Sequence, residues 1–308
     1  MARLFVSESI IIHKPAKKIY DLISDFYSWK SWSPWINAEP NAEVTISQGG
    51  KNYQWNGQIV GTGSMQHSEE IPNQKLEINL QFLKPYKSKA LVIFELTESD
   101  KETRLTWKMK SSLPWYLFWM KKRLELFVSW DYRRGLKLLK DLAELGKIDS
   151  NLDFIGIEDL PEIHIIGKRY QSTVDDFKNN IEKHFGELFQ YCQINCKDSI
   201  QEIGYTLYHK FDLVKDHVDY TVGLAINNLS QELTQGYAIV KIPKSKVYSI
   251  THVGKYEHLD NAWSAVMMHQ NAKKFKRQKK SPDIETYIDN PSNTPQKDIR
   301  TKISIPAL

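Results

Sequence analysis

IHIIGKRYQSTVDDFKNNIEKHF, residues 163–185, and VYSITHVGKYEHLDNAWSAVMMH, residues 247–269, read alike. Each opens with a β-rich stretch, turns at Gly-Lys, places a tyrosine beyond the turn and runs on into an amphipathic segment, which predicts strand, turn and helix twice over. Gly167 and Tyr170 of the first copy answer to Gly254 and Tyr256 of the second. Two strand-like stretches follow each helix: EIGYTLY (202–208) and VDYTVGLAI (218–226) in the first copy, DIETYID (283–289) and IRTKISIPA (299–307) in the second. Two strand-helix-strand-strand units related by pseudo-symmetry predict a shared sheet with a ligand-sized groove at the junction.

If 283–288 is a strand, Ile284, Thr286 and Ile288 share one face while Asp283, Glu285 and Tyr287 share the other. Glu285 and Tyr287 then point into the groove. An isolated carboxylate among apolar groups is costly, so it must be protonated, hydrogen-bonded or matched by a cation. Aromatic faces from Tyr170, Tyr205, Tyr256 and Trp263 would favour a lipophilic cation. The competing reading sets Glu285 at a solvent-facing strand edge, paired with a lysine.

This half of the chain resembles the GyrI-like family, which includes the AraC/MerR-type effector-binding domains of bacterial multidrug-sensing regulators. The resemblance rests on IIGKRY (165–170), HVGKYEHLDNAW (252–263) and the closing ETYIDNP…ISIPAL (285–308). It implies a groove glutamate facing the ligand among aromatic residues, here Glu285.

At the join, DYRRGLKLLKDLAELGKIDSNLDF carries a helical pattern that stops at Gly146, a C-cap glycine, before polar residues. The division expected is 1–148 and 149–308, in accord with a length of 308 residues. Tryptophan points the same way: eight of the nine lie at or before Trp130 and Trp263 stands apart, so the two cores differ in kind.

In the first half, residues 4–13 read as a strand, and Pro15 opens a short helix. Residues 42–110 read as a meander of six strands, and Pro114–Leu145 as one long helix with Gly135 on its apolar stripe. PAKKIYDLISDFYSWKSWSPW (15–35), the meander and RRGLKLLKDLAE (133–144) together resemble the START/SRPBCC group, its polyketide cyclase-like branch above all. That resemblance covers residues 3–146 and implies a helix-grip fold, a curved antiparallel sheet around a long C-terminal helix, with an apolar pocket and no fixed catalytic set. The fold class expected is therefore α+β throughout. PWYLFWMKK (114–122) reads as the mouth of that pocket, with Trp115 and Trp119 as rim residues binding ligand. Its alternative is an interfacial membrane anchor.

The net charge is +5. Residues 1–147 hold 22 Lys and Arg against 16 Asp and Glu, a diffuse surplus. In the second half six bases crowd between Lys273 and Lys280, read as a solvated helix C-terminus. Neither arrangement carries a helix-turn-helix or zinc-finger pattern, so direct nucleic-acid binding is not expected. Cys192 and Cys196 are too few for a disulfide framework or a four-ligand zinc site, and His252 and His258 lack metal-ligand spacing. Neither metal nor cofactor is expected. No window approaches the about twenty apolar residues of a membrane span, and the N-terminus lacks a signal pattern, so a cytoplasmic location is expected.

The leading expectation is a two-pocket sensor or sequestering protein for hydrophobic or lipophilic-cation small molecules. An enzymatic alternative, known among GyrI-like proteins, is hydrolysis of reactive electrophiles with Glu285 activating water and Tyr256 donating a proton. A third is ligand-dependent signalling to a partner protein.

Overall fold

Alternating side chains build two antiparallel sheets in the computed structural model, which describes residues 2–227 and 233–308; one lies in Met1–Asp149 and the other in Ser150–Leu308. The first unit runs β1 (Ala2–Ile12), α1 (Ala16–Ser24), α2 (Phe26–Trp32), β2 (Glu43–Ile46), β3 (Asn52–Asn56), β4 (Thr62–Ile71), β5 (Lys75–Lys84), β6 (Ser88–Ser99), β7 (Glu102–Leu113) and α3 (Lys121–Leu145). Its strand order is β1-β7-β6-β5-β4-β3-β2. Hairpins account for the meander, and Asn73 and Asp100 take the left-handed conformations that the β4–β5 and β6–β7 turns require.

Tryptophan fills the space between this sheet and α3. Tyr132 of α3 stacks on Trp107 of β7 at 4.0 Å, and Trp29, Trp32 and Phe94 close around the same ring. Gly135 permits that approach: a β-carbon there would stand 2.7 Å from the Trp107 ring. Gly146 ends α3 in the left-handed conformation, its N–H donating to the Leu142 carbonyl. Two boundaries differ from the sequence expectation. Pro15 occupies the N-cap of α1 rather than its first turn. The helix expected from Pro114 begins only at Lys121, because Trp115–Met120 winds as a 3₁₀ turn.

The second unit runs β8 (Ser150–Leu160), β9 (Ile163–Ser172), α4 (Val174–Asn195), β10 (Ile200–Asp212), β11 (His217–Ile226), β12 (Ala238–Ile242), β13 (Ser245–Gly254), α5 (Asp260–Asn271), β14 (Asp283–Tyr287) and β15 (Arg300–Pro306). Thr173 caps α4, accepting the Asp176 N–H at 3.1 Å. The strand order is β12-β9-β11-β10-β14-β15-β13-β8. The element run β9-α4-β10-β11 supplies β9-β11-β10, the run β13-α5-β14-β15 supplies β14-β15-β13, and β10 meets β14 in the middle. β8 and β12 are edge strands that the sequence reading did not anticipate; their burial pattern is weak, with Phe154, Ile155, Ile157 and Ile239 exposed.

The basic run also departs from expectation. α5 ends at Asn271, so Lys273–Lys280 follows the helix instead of forming its last turn. Phe275 instead anchors the segment by stacking on Tyr248 at 4.4 Å, and Arg277 pairs with Asp283 at 2.7 Å. Among the described residues, no helix is long and apolar enough to cross a membrane.

Candidate functional site

β10 and β14 pair antiparallel with Thr206 opposite Glu285, Gly204 opposite Tyr287 and Tyr208 opposite Asp283. Alternation therefore turns Thr206, Tyr208, Glu285 and Tyr287 to one face and Tyr205, Leu207, Ile284 and Thr286 to the other. On the first face Glu285 is almost wholly buried, 3% exposed. Three neutral donors hold it. The Trp263 indole N–H reaches Oε2 at 2.7 Å, the Tyr208 hydroxyl reaches Oε2 at 3.2 Å, and the Tyr287 hydroxyl donates to Oε1. No Lys, Arg or His among the described residues pairs with this carboxyl.

The rings behind these donors are locked in turn. Trp263, on α5, meets the Tyr208 ring edge-on at 5.1 Å. Phe177 of α4 packs against Tyr208 and Tyr220. Phe185 packs edge-on against Tyr287 at 5.0 Å, a contact opened by Gly204, where a β-carbon would press on both rings. The Tyr256 ring lies 5.9 Å from that of Tyr287 and is itself exposed, while Trp263 and Tyr287 are half-buried. The cluster therefore reaches solvent through aromatic edges and keeps its carboxyl inside.

Burial pushes the Glu285 carboxyl above its ordinary range; the donors from Tyr287, Trp263 and Tyr208 work against that rise, and nearby Asp260 adds to it. The Tyr208 and Tyr287 hydroxyls are held well above the usual phenol range by burial first and by the Glu285 charge second, so both remain donors. Tyr256 is pushed up to about 12 by burial and by Glu285 and Asp289. Two residues away along β14, burial raises Asp283 to about 6 against the opposing pull of Arg277.

Of the residues singled out from sequence, the fold brings together Glu285, Tyr287 and Trp263, with Tyr256 at the margin. Tyr256 makes no hydrogen bond to Glu285, and the proton donor nearest the carboxyl is Tyr287. Tyr205 is corrected: it faces the opposite side of the sheet, in a cluster with Ile165, Leu207 and Ile284. Tyr170 lies on the Glu285 face and in the same cluster as Tyr208 and Trp263, one strand beyond Tyr220, beside whose ring it stacks on His184 at 3.8 Å. Trp115 and Trp119 belong to the first unit, where both are exposed. Tyr208 and Thr206 were missed; alternation along β10 puts them on one face and Tyr205 on the other, and the pairing of 206–208 with 283–285 selects the face they share with Glu285.

His252 and His269 behave as packing groups. His252 is buried beside Ser150, with its imidazole lowered to about 4 by burial and by His258, and His269 accepts or donates to the Tyr248 hydroxyl at 2.6 Å. Cys192 and Cys196 are both buried and unbridged.

Among solved structures, the C-terminal domain of EcmrR is 18% identical, with 52% of this chain and 98% of that one covered and a TM-score of 0.42. The EcmrR–DNA complex is 16% identical over 62% and 70% of the two chains, TM-score 0.42. An integron cassette protein from the mobile metagenome of Vibrio cholerae is 20% identical over 51% and 99%, TM-score 0.36. No curated protein matches the chain. The family described as the GyrI-like small molecule binding domain matches residues 154–308, the stretch that holds the buried carboxyl and every donor to it. The chain belongs to the GyrI-like small molecule binding domain family.

Proposed function

We propose that the second unit binds a lipophilic cation against Glu285, with Trp263, Tyr208, Tyr287 and Tyr256 as its aromatic wall. The observation that carries this reading is a carboxyl 3% exposed, whose three partners are all neutral. Neutral donors orient a carboxylate and leave its charge uncancelled. A cation arriving at the aromatic edges meets that charge through a desolvated path, and each ring face adds about 0.5–2 kcal/mol. An apolar neutral compound would gain the ring contacts and forgo the charge.

The duplication of strand-helix-strand-strand units is part of the same reading, supported by the mirrored strand order around β10·β14. For the first unit, the order strand, two helices, six strands and one long helix supports the helix-grip assignment, a domain boundary near Asp149 and a second binding module. Its centre is packed with tryptophan, so the principal ligand site is assigned to the Glu285 cluster.

Titration with tetraphenylphosphonium, followed by the difference in emission between the native protein and Trp263→Phe, tests this reading. Saturable quenching of Trp263 is expected, with affinity about tenfold weaker in Glu285→Gln, the loss of one well-placed charge interaction. Equal affinity for the native chain and Glu285→Gln, or no response across a panel of lipophilic cations, would overturn it.

A further inference from the structure

In the first unit Trp29, Trp32, Trp55 and Trp107 are buried and Trp35 and Trp130 half-buried, whereas Trp115 and Trp119 are exposed. At the end of the sheet where β5 turns into β6 and where β7 leaves for α3, the rings point outward. Trp115 is 75% exposed, Tyr116 59%, Phe118 66% and Trp119 66%, and Tyr86 in the β5–β6 turn is 83% exposed. The pairing fixes these two segments at one end: Phe82 lies opposite Ser88, Ala90 opposite Ser111, and Ala2 opposite Leu113.

Charge at this end is predominantly positive, with Glu125, paired to Lys121 at 3.7 Å, as the acid near the start of α3. Neither residues 78–94 nor residues 105–124 contain any Asp or Glu. Exposed bases flank the rings instead: Lys84, Lys87 and Lys89 beside Tyr86, and Lys122 and Arg123 directly after the 3₁₀ turn. Trp and Tyr ringed by Lys and Arg match the layering of a bilayer surface, where indole and phenol rings settle at the headgroup level and bases meet anionic phosphates. The six residues of the 3₁₀ turn cannot span a bilayer, so contact is peripheral.

We propose that this end of the first unit docks on an anionic lipid bilayer, with Trp115, Trp119 and Tyr86 entering the headgroup layer and the flanking bases held by acidic lipid. A protein partner would more commonly meet a patch depleted of lysine, whereas here lysine supplies most of the rim. The proposal is independent of the Glu285 site.

The test is co-sedimentation of the full chain with vesicles of equal parts phosphatidylcholine and phosphatidylglycerol, and with vesicles of phosphatidylcholine alone. Binding is expected for the anionic vesicles and falls with added salt. Brominated lipid is expected to quench tryptophan emission, and a W115S/W119S chain is expected to lose that quenching and bind about tenfold or more weakly, as removal of the interfacial anchors requires. K122E/R123E is expected to lose the preference for anionic lipid. These side chains are exposed, so the thermal transition of each variant serves as the check that the fold is intact. Failure to sediment with anionic vesicles would overturn the proposal. So would equal binding by W115S/W119S, or a vesicle-free self-association that the same double substitution abolishes.

Discussion

Trp263→Phe removes one of the three hydrogen bonds to the buried carboxyl, and its cost follows from the geometry. Phenylalanine retains a ring to meet Tyr208 and removes the N–H that reaches Glu285 Oε2 at 2.7 Å. A hydrogen bond to a charged group contributes about 1.5–3 kcal/mol, and a neutral one about 0.5–1.5. For a unit the size of Ser150–Leu308 the charged case corresponds to a fall in melting temperature of about 3–12 °C and the neutral case to about 1–6 °C. Because the chain has two units, a whole-molecule transition would mix them. Cys192 and Cys196 solve this: both are buried in the second unit, and the first has none. Their labelling by a thiol reagent across a urea series therefore reports the second unit alone. Combined with Glu285→Gln in a double-mutant cycle, Trp263→Phe should show a coupling of about 1 kcal/mol or more. An unchanged labelling midpoint in Trp263→Phe, or the same cost with and without Glu285→Gln, would refute the assignment of Trp263 as the carboxyl's anchor.

Arg277→Met should destabilise the second unit by about 1–3 kcal/mol near neutral pH, where it leaves the Asp283 carboxylate buried without its partner. The sign follows from Asp283 being raised from 3.8 to about 6: stability linked to its neutral form is present below the unfolded value and is lost as pH rises through the folded one. The cost of Arg277→Met should therefore shrink below about pH 4, and urea titrations of both chains at the two pH values decide it; a cost independent of pH would count against the pairing. In the first unit Gly135→Ala should cost about 1–3 kcal/mol, since the new methyl is driven into the Trp107 ring and Pro34. Tryptophan emission, dominated by that unit, measures it, and a chain as stable as the native one would show that α3 can move away.

Much of the second sheet was legible because its signals are local. Alternation in DIETY set the faces of β14, and Gly254-Lys255 marked the end of β13 before α5, whereas the turn expected at Gly167-Lys168 is absent because β9 runs through both residues to Ser172. The edge strands β8 and β12 were hidden because an edge needs no sustained apolar face, and their residues are largely exposed. Tyr205 and Tyr208 are three residues apart in one strand, so choosing between them required the register of β10 against β14. Sequence supplies that register only through pairing over a separation of about eighty residues, which no local pattern encodes. The end of α5 was misread for a similar reason. Lysines after a helix look like a favourable C-terminus, whereas burial of Phe275 and the Arg277–Asp283 pair fix the segment by tertiary contacts.

The register also accounts for why the central Thr206–Glu285 pair holds one acid and not two. Thr206 and Glu285 face each other where β10 meets β14, and two residues further along each strand stand Tyr208 and Tyr287. Under the proposed duplication these tyrosines are counterparts, and both hydroxyls converge on a single carboxyl, Tyr208 on Oε2 and Tyr287 on Oε1. A symmetric pair of acids at this position would bring two carboxylates about 4.5–5.5 Å apart at their β-carbons, in a desolvated setting that forces one to stay protonated. Threonine avoids that repulsion, and its Oγ1 lies 3.2 Å from the Tyr287 hydroxyl, supporting the donor from behind. Under that duplication the two halves of the sheet supply a matched pair of phenols, and the difference between Thr206 and Glu285 leaves a single carboxyl for them to hold.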